Sequence, residues 1–470
     1  MTTAAAAERR FEPVLVYSAT PGRGFVRWAV LVALAAAPLA IGCRDAPAYI
    51  PLLTVATLAG LYSVYRERQL RRDGVAVSPL PGERALLALG SLVAFQLVPL
   101  PPWLLRLVSP GSYAFYNDPL LQPLAAWKPI TANPADTARG LAFVVGMSLL
   151  YRAVYREFDQ PLWRRRLIYA VVGAGFVMTL EALVQQAYSA NVIYGLYHPR
   201  WDWAVFGPYT NRNLFAGYML LAVPLGIGLC AEALDRLRHA WGRRRRRAWL
   251  ALGDPEGSAF FRRVAIAMVL ITGLLATGSR GGLLGFGAGV VAMLYGGRKR
   301  RALLVSVVLV AAMGLAWIGL SEHRRGFVSR GLQGRAEIWQ DSARMIPSHL
   351  AFGAGFNAFG SSYPPRQRVW TSSWVLATHN EYLQVAIDLG MLGAVPVGLL
   401  LFTLLRRALR TAKQGALHAG LLASLVALLA HNLVDLNWQI AANAATFVAL
   451  AGLAVQAPSS HHLDPSGRHA

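Results

Sequence analysis

The chain has 470 residues, of which 55% are hydrophobic and only 15% charged, with a mean hydropathy of +0.40. A soluble domain cannot bury that much apolar surface, so lipid must face a large part of it. The net charge of +23, from 46 lysines and arginines against 23 acidic residues, raises a nucleic-acid reading that only the placement of the arginines can decide.

The hydrophobic residues come in blocks of roughly 17 to 23, the length that crosses about 30 Å of hydrocarbon at about 1.5 Å per residue. In chain order they predict spans near 26–43, 48–65, 84–105, 139–155, 167–188, 213–234, 260–278, 281–296, 302–320, 381–405, 416–434 and 439–457. The fold class expected is therefore all-α, a polytopic membrane protein of about twelve spans. The first block lacks a convincing small-residue cleavage site and runs almost at once into the second, so it reads as a retained span rather than a signal peptide.

Arginines gather in alternate loops. Arg66, Arg68, Arg71 and Arg72 follow the second span, Arg164 to Arg166 the fourth, and Arg243 to Arg247 the sixth. Arg298 to Arg301, with Lys299 among them, follow the eighth span, and Arg406, Arg407, Arg410 and Lys413 follow the tenth. Short loops rich in Lys and Arg stay cytoplasmic, which places both termini inside a bacterial inner membrane. Topology and attraction to anionic headgroups explain the arginine run. No aromatic interleaving accompanies it, so the expected partners include membrane lipids and no nucleic acid. Cys43 and Cys230 both fall in predicted spans, which leaves no exposed disulfide and no multi-cysteine metal site.

The same topology puts 106–138, 189–212 and the long stretch 321–380 outside, as periplasmic segments. Arg324, Arg325, Arg330, Arg335, Arg344, Arg366 and Arg368 all lie in the last, where insertion does not explain an excess of arginine. Singly they read as surface charges of a solvated loop. As a group they suggest an anionic ligand, since a guanidinium pairs bidentately with phosphate oxygens and stays charged. Within this loop, 334–350 places Ala336, Trp339, Ala343 and Ile346 at helical spacing, predicting an amphipathic helix that roofs a cavity or lies on the membrane. Gly353, Gly355 and Gly360 beyond it permit close backbone approach.

Two further arginines stand at outer ends of spans: Arg212 in YTNRNLFAGY and Arg280 in TGSRGGLLGF. The turn holding Arg280 joins two spans so short that it can lie below the bilayer surface. An arginine at that depth either faces an internal polar cavity or snorkels to the interface. Gly281 and Gly282 would let backbone amides of the turn approach an anion. In THNEYLQVAIDLG (378–390), His379 opens the tenth span on its outer side. A helix-end histidine is one reading. The other is a base, because a helix N-terminus and nearby arginines both disfavour the imidazolium and keep the ring neutral. Glu381 and Asp388 are each placed to orient His379, or else to cap the helix or pair in its interior.

NRNLFAGY, ATGSRGG, GRAEIWQDSARMIPSHLAFGAGFNAF and ATHNEYLQ, in this order on one face of a multi-span chain, resemble the O-antigen ligase and Wzy polymerase superfamily. The resemblance covers roughly 205–440. It divides the chain into 1–204, membrane spans with only a compatible hydropathy pattern; 205–440, a ligase-like catalytic region that includes loop 321–380; and 441–470, the last span and a cytoplasmic tail.

The resemblance implies an inverting glycosyltransferase. It would move a saccharide from an undecaprenyl-pyrophosphate carrier to an acceptor hydroxyl on the periplasmic side. In the family's pattern Arg212 and Arg280 bind the carrier pyrophosphate, His379 acts on the acceptor as general base, and Arg335 matches a less constant position. Fixed guanidinium groups can neutralise a departing pyrophosphate without reorganising, so neither metal nor other cofactor is expected. No D-x-D pair or H-E-x-x-H spacing is present. The dominance of one large loop favours a ligase, with lipid A–core as acceptor, over a polymerase that extends another carrier-linked glycan. A transporter is the rival of another class, but no half-length repeat is seen and the candidate residues gather at one face, away from the midplane.

Overall fold

The computed structural model of the protein describes residues 22–118, 126–189, 191–199, 204–243, 254–297, 335–368 and 374–456. Among them the chain is helical, with isolated β-bridges but no named strand. The N-terminal part runs through α1 (Arg23–Ala36), α2 (Ala46–Arg72), α3 (Glu83–Phe95), α4 (Pro102–Val108), α5 (Pro110–Tyr116), α6 (Pro134–Glu157) and α7 (Pro161–Tyr188). It continues with α8 (Arg212–Arg243), α9 (Pro255–Ala276), α10 (Arg280–Gly296), α11 (Glu381–Thr411), α12 (Ala416–His431) and α13 (Ala441–Ala454).

Five of these helices are long and apolar enough to cross a membrane: those over Ala46–Arg72, Pro161–Tyr188, Arg212–Ala240, Pro255–Ala276 and Glu381–Gln414. The protein is thus a multi-pass membrane protein. Each expected span meets a helix except 302–320, which lies outside the described residues. Two stop well before their expected ends. The third stops at Phe95 because Pro99, Pro101 and Pro102 cannot continue it, and Pro102 instead opens α4. The first stops at Ala36, before Pro38 and the left-handed Gly42, so Cys43 lies in a turn and not in a span. Cys43 and Cys230 are both free thiols.

Helix α8 threads the centre of the molecule. Tyr218, Met219, Leu220 and Leu221 on it have no exposed surface. Small residues let its neighbours approach. A side chain on Gly285 or Gly289 of α10 would come within 2.7 and 2.9 Å of the Ala427 and Ala423 carbonyls of α12. In a membrane, where lipid is as apolar as leucine, such close packing holds helices together.

Several basic residues are drawn into an ion-pair network. At the α1 start, α2 end and α6 end, Arg23 and Arg66 both pair with the buried carboxylate of Glu157, and Arg27 reaches Asp159. Arg71 and Arg152 share Glu67. This network fixes one end of the bundle. Arg44, the α8 start and the α10 start belong to the other, since Arg44 precedes α2 and Arg66 lies towards its far end, about 30 Å of helix later at about 1.5 Å per residue.

Helix α11 is broken at Gly390, whose φ of 60° and ψ of −167° interrupt the helical ladder. The segment 350–357 fills the break. Ala354 N donates to the Ile387 carbonyl at 2.8 Å, and Met391 N to that of Leu350 at 2.7 Å. Gln96, with no exposed surface, completes the seam: its Nε2 donates to the Phe352 and Asp388 carbonyls at 2.6 and 2.8 Å, and its Oε1 accepts from Phe356 N at 2.9 Å. A loop segment is thereby made as fixed as the helices around it.

Candidate functional site

The turn that carries His379 is tightly determined. Thr378 Oγ1 donates to the Asn380 carbonyl at 2.7 Å and accepts from Asn380 N at 3.2 Å, and Thr378 N donates to Gln384 Oε1 at 2.9 Å. Asn380 caps α11, its Oδ1 accepting from Tyr382 N and Leu383 N at 3.0 Å. His379 between them has a φ of 55°, an uncommon conformation for any residue but glycine. Its Nδ1 is buried with no hydrogen-bond partner. Burial pushes the imidazole below its ordinary pKa; the Asp435 charge pulls it back up, and Arg335 pushes it further down. The sequence points to the helix N-terminus and nearby arginines as what keeps this ring neutral; desolvation is the larger cause.

Asp435 was not legible in the sequence. It sits after α12 in HNLVDLNW (431–438), 1% exposed, and accepts from Leu436 N at 2.9 Å. Arg335, at the start of a helix over 335–343, donates to the Val434 carbonyl at 2.5 Å and pairs with Asp435 at 3.4 Å. The signal available was an aspartate, a histidine and two asparagines crowded between two apolar spans, since ionisable groups at membrane depth are costly unless used.

Glu381 and Asp388, the carboxylates expected near His379, are engaged elsewhere. Glu381 Oε1 accepts from Trp438 N at 2.8 Å. Asp388 accepts from Gln384 Nε2 at 3.0 Å and from Asn357 N at 3.1 Å, fastening the 350–357 segment to α11. The amphipathic helix also differs from expectation. It ends at Ala343, which is exposed, and the buried positions of the described part of the expected stretch are Asp341, Ser342, Met345 and His349. Besides Arg335, it is tied to the site by Trp339 Nε1, which donates to the Thr378 carbonyl at 2.8 Å. Of the loop arginines, Arg324, Arg325 and Arg330 lie outside the described residues, and Arg344 is paired with Asp341 at 2.9 Å.

Arg280 is the first residue of α10. Gly278 takes the left-handed conformation (φ 59°) that the tight turn from α9 requires, and Ser279 caps α10, its Oγ accepting from Gly282 N at 3.1 Å. That amide is therefore already taken. Gly281 serves packing, because a Cβ there would stand 2.7 Å from Val434 Cγ2 and 2.9 Å from the His431 ring. Arg212 opens α8, and one of its guanidinium nitrogens lies 3.8 Å from the position a Cβ on Gly278 would take. Neither Arg212 nor Arg280 has an ion-pair partner among the described residues. The α10 turn thus joins Arg212 on one side and, through Gly281 and Val434, Arg335 and Asp435 on the other.

His379 and Asp435 open onto one cleft of about 460 Å³, lined also by Arg44, Asn211, Leu214, Ile338 and Ile440 among others. Arg212 and Arg280 are not among its lining residues. Chemically, the arrangement sets a histidine that favours its neutral form on one cleft with a carboxylate, which Arg335 pairs from the side. It can take a proton from a hydroxyl.

Residues 265–398 match the family model described as O-antigen ligase. An O-antigen ligase of Pseudomonas aeruginosa is 33% identical over 147 residues, which are 31% of this chain and 34% of that protein. The chain thus spans about a third of the length of the curated relative it matches. The family match runs from within α9 to within α11 and so includes Arg280, Arg335 and His379. Residues 265–398 are thus similar to the O-antigen ligase family over that stretch of the chain.

Proposed function

We propose that the protein is an inverting glycosyltransferase that moves an O-antigen-type polysaccharide from undecaprenyl pyrophosphate to a hydroxyl of lipid A–core. In this reading it crosses the bacterial inner membrane about twelve times, keeps both termini in the cytoplasm and works on the periplasmic side. The observation that carries it is His379, one ring nitrogen buried and without a hydrogen-bond partner, opening with Asp435 onto one cleft. His379 takes the proton of the acceptor hydroxyl while its oxygen attacks the anomeric carbon. The bond from that carbon to the pyrophosphate oxygen breaks. Arg212 and Arg280 receive the charge that develops on the leaving group, and Asp435 stabilises the imidazolium that forms.

Deletion of the gene followed by glycan analysis of the cell envelope tests this. Loss of polymer from lipid A–core, with polymer retained on the carrier, is expected. A single repeat unit left on the core would make the protein a polymerase, and an unchanged envelope glycan would remove the transferase reading.

A further inference from the structure

Residues 374–377 lead into the His379 turn, and all four line the same cleft as His379 and Asp435. Their burial alternates. Ala377 is 4% exposed and Val375 packs against the cluster that holds Met345, Phe359 and Tyr363, whereas Trp374 and Leu376 are 66% and 64% exposed. The inward pair anchors the segment, and the outward pair leaves apolar surface uncovered beside the histidine.

Gly360 backs this surface. Trp374 Nε1 donates to its carbonyl at 3.0 Å, and a Cβ on it would stand 3.2 Å from Leu376 Cδ2. The indole is therefore held in place while its ring stays open. An exposed tryptophan of a membrane protein commonly anchors at the interface, its N–H turned to headgroups and water. Trp374 is bonded differently. Among the described residues the exposed tryptophans are Trp28, Trp103, Trp127 and Trp374, and of these Trp374 alone has its indole N–H bound within the protein.

A flat apolar ring beside polar groups suits a saccharide. A pyranose has a face dominated by C–H bonds and an edge of hydroxyls, so it takes an aromatic surface beneath it and hydrogen-bonding groups around it. The cleft supplies both, Trp374 for the first and Asp435 and the exposed Gln439 for the second. Arg212 and Arg280, assigned to the donor pyrophosphate, do not line it, so the saccharide in this cleft is the one whose hydroxyl His379 deprotonates. The geometry points to Trp374 as a platform on which a sugar ring of the acceptor stacks. This rests on the glycosyltransferase reading and names a residue that selects the acceptor's saccharide.

The test uses the full chain in nanodiscs and reads equilibrium binding of core oligosaccharide freed from lipid A by mild acid, a probe with no acyl chain to enter the bilayer. Trp374→Ala is expected to weaken its binding about tenfold, the upper range of an aromatic contact. Trp374→Phe, which keeps a flat ring without the N–H, should retain most of it. Both variants should bind carrier-linked donor as the wild type does, which also shows that they fold. A wild-type protein that does not bind the oligosaccharide, or a Trp374→Ala protein that binds it equally well, overturns the inference. So does an equal loss of donor binding, or a loss confined to the glycan released from the carrier. A Trp374→Phe protein as weak as Trp374→Ala would trace the loss to the Gly360 bond and not to the ring face. A loss seen with intact lipid A–core but not with the free oligosaccharide would make Trp374 a membrane anchor; either result overturns the assignment. Because binding is read and not transfer, a protein that binds core oligosaccharide through Trp374 but moves no glycan would overturn the transferase reading alone. Transfer with core binding independent of Trp374 would do the reverse.

Discussion

Arg335 reaches across from the start of the loop helix to Asp435, and the two act on His379 in opposite senses, the guanidinium lowering its pKa and the carboxylate raising it. The net shift is downward because burial adds to the Arg335 effect. A base must be neutral to accept a proton, so transfer should be lost only on acidification, with a midpoint below the ordinary 6.5. Removing a group that lowers the pKa moves that midpoint up, and removing one that raises it moves the midpoint down. Rate against pH for Arg335→Ala and Asp435→Asn should therefore shift in opposite directions, the first towards higher pH and the second towards lower. Shifts of the same sign would mean that neither group acts through His379.

The proposed roles place His379 and the arginines on different steps. His379→Ala should bind carrier-linked donor as the wild type does while transfer falls by about 10² to 10⁴, the usual worth of general-base help. Arg212→Ala and Arg280→Ala should weaken donor binding as well as turnover. Donor binding lost in His379→Ala would make the histidine a donor ligand and leave the acceptor base unassigned.

The helices and their order were legible because hydropathy blocks report directly on lipid exposure, and the placement of His379, Arg280 and Arg212 at or beside helix starts because short strings put unusual residues at span ends. Asp435 was not. Its importance depends on where α12 ends relative to the 379 turn, a contact across 56 positions that no periodicity encodes. Arg335 was expected as one of several loop arginines and, from the resemblance, at a less constant family position; its pairing with that same distant aspartate was not legible. The buried face of the loop helix was misjudged because helical spacing assumes the helix continues, whereas it stops at Ala343 and the chain goes on through a 3-10 turn containing Pro347. Glu381 and Asp388 looked available from sequence proximity alone, but a side chain seven positions along a helix points to its own neighbours.

Sidedness can be checked by chemistry alone. A cysteine in place of Ser361, in the segment between the loop helix and α11, should react with a membrane-impermeant maleimide in intact spheroplasts. One in place of the exposed Asp73, just after α2, should react only after permeabilisation. Reversed labelling would put His379 and its cleft on the cytoplasmic side, away from a flipped carrier substrate.

The last expectation concerns the α10 turn, where Arg280 is aimed by packing rather than by a partner of its own. A methyl group on Gly281 would enter contacts of 2.7 Å with Val434 Cγ2 and 2.9 Å with the His431 ring, closer than side chains tolerate without movement. Overpacking of this kind typically costs about 1–3 kcal/mol. Because Val434 carries the carbonyl that holds Arg335, the displacement should also spread to the Arg335–Asp435 pair. Gly281→Ala is therefore expected to lower the thermal midpoint of the detergent-solubilised protein and to cut donor binding together. Gly90→Ala, with nothing within 4 Å of the added methyl, should do neither. A Gly281→Ala protein of wild-type stability that binds donor normally would show that the turn yields freely, and that close packing against α12 and Val434 does not set the position of Arg280.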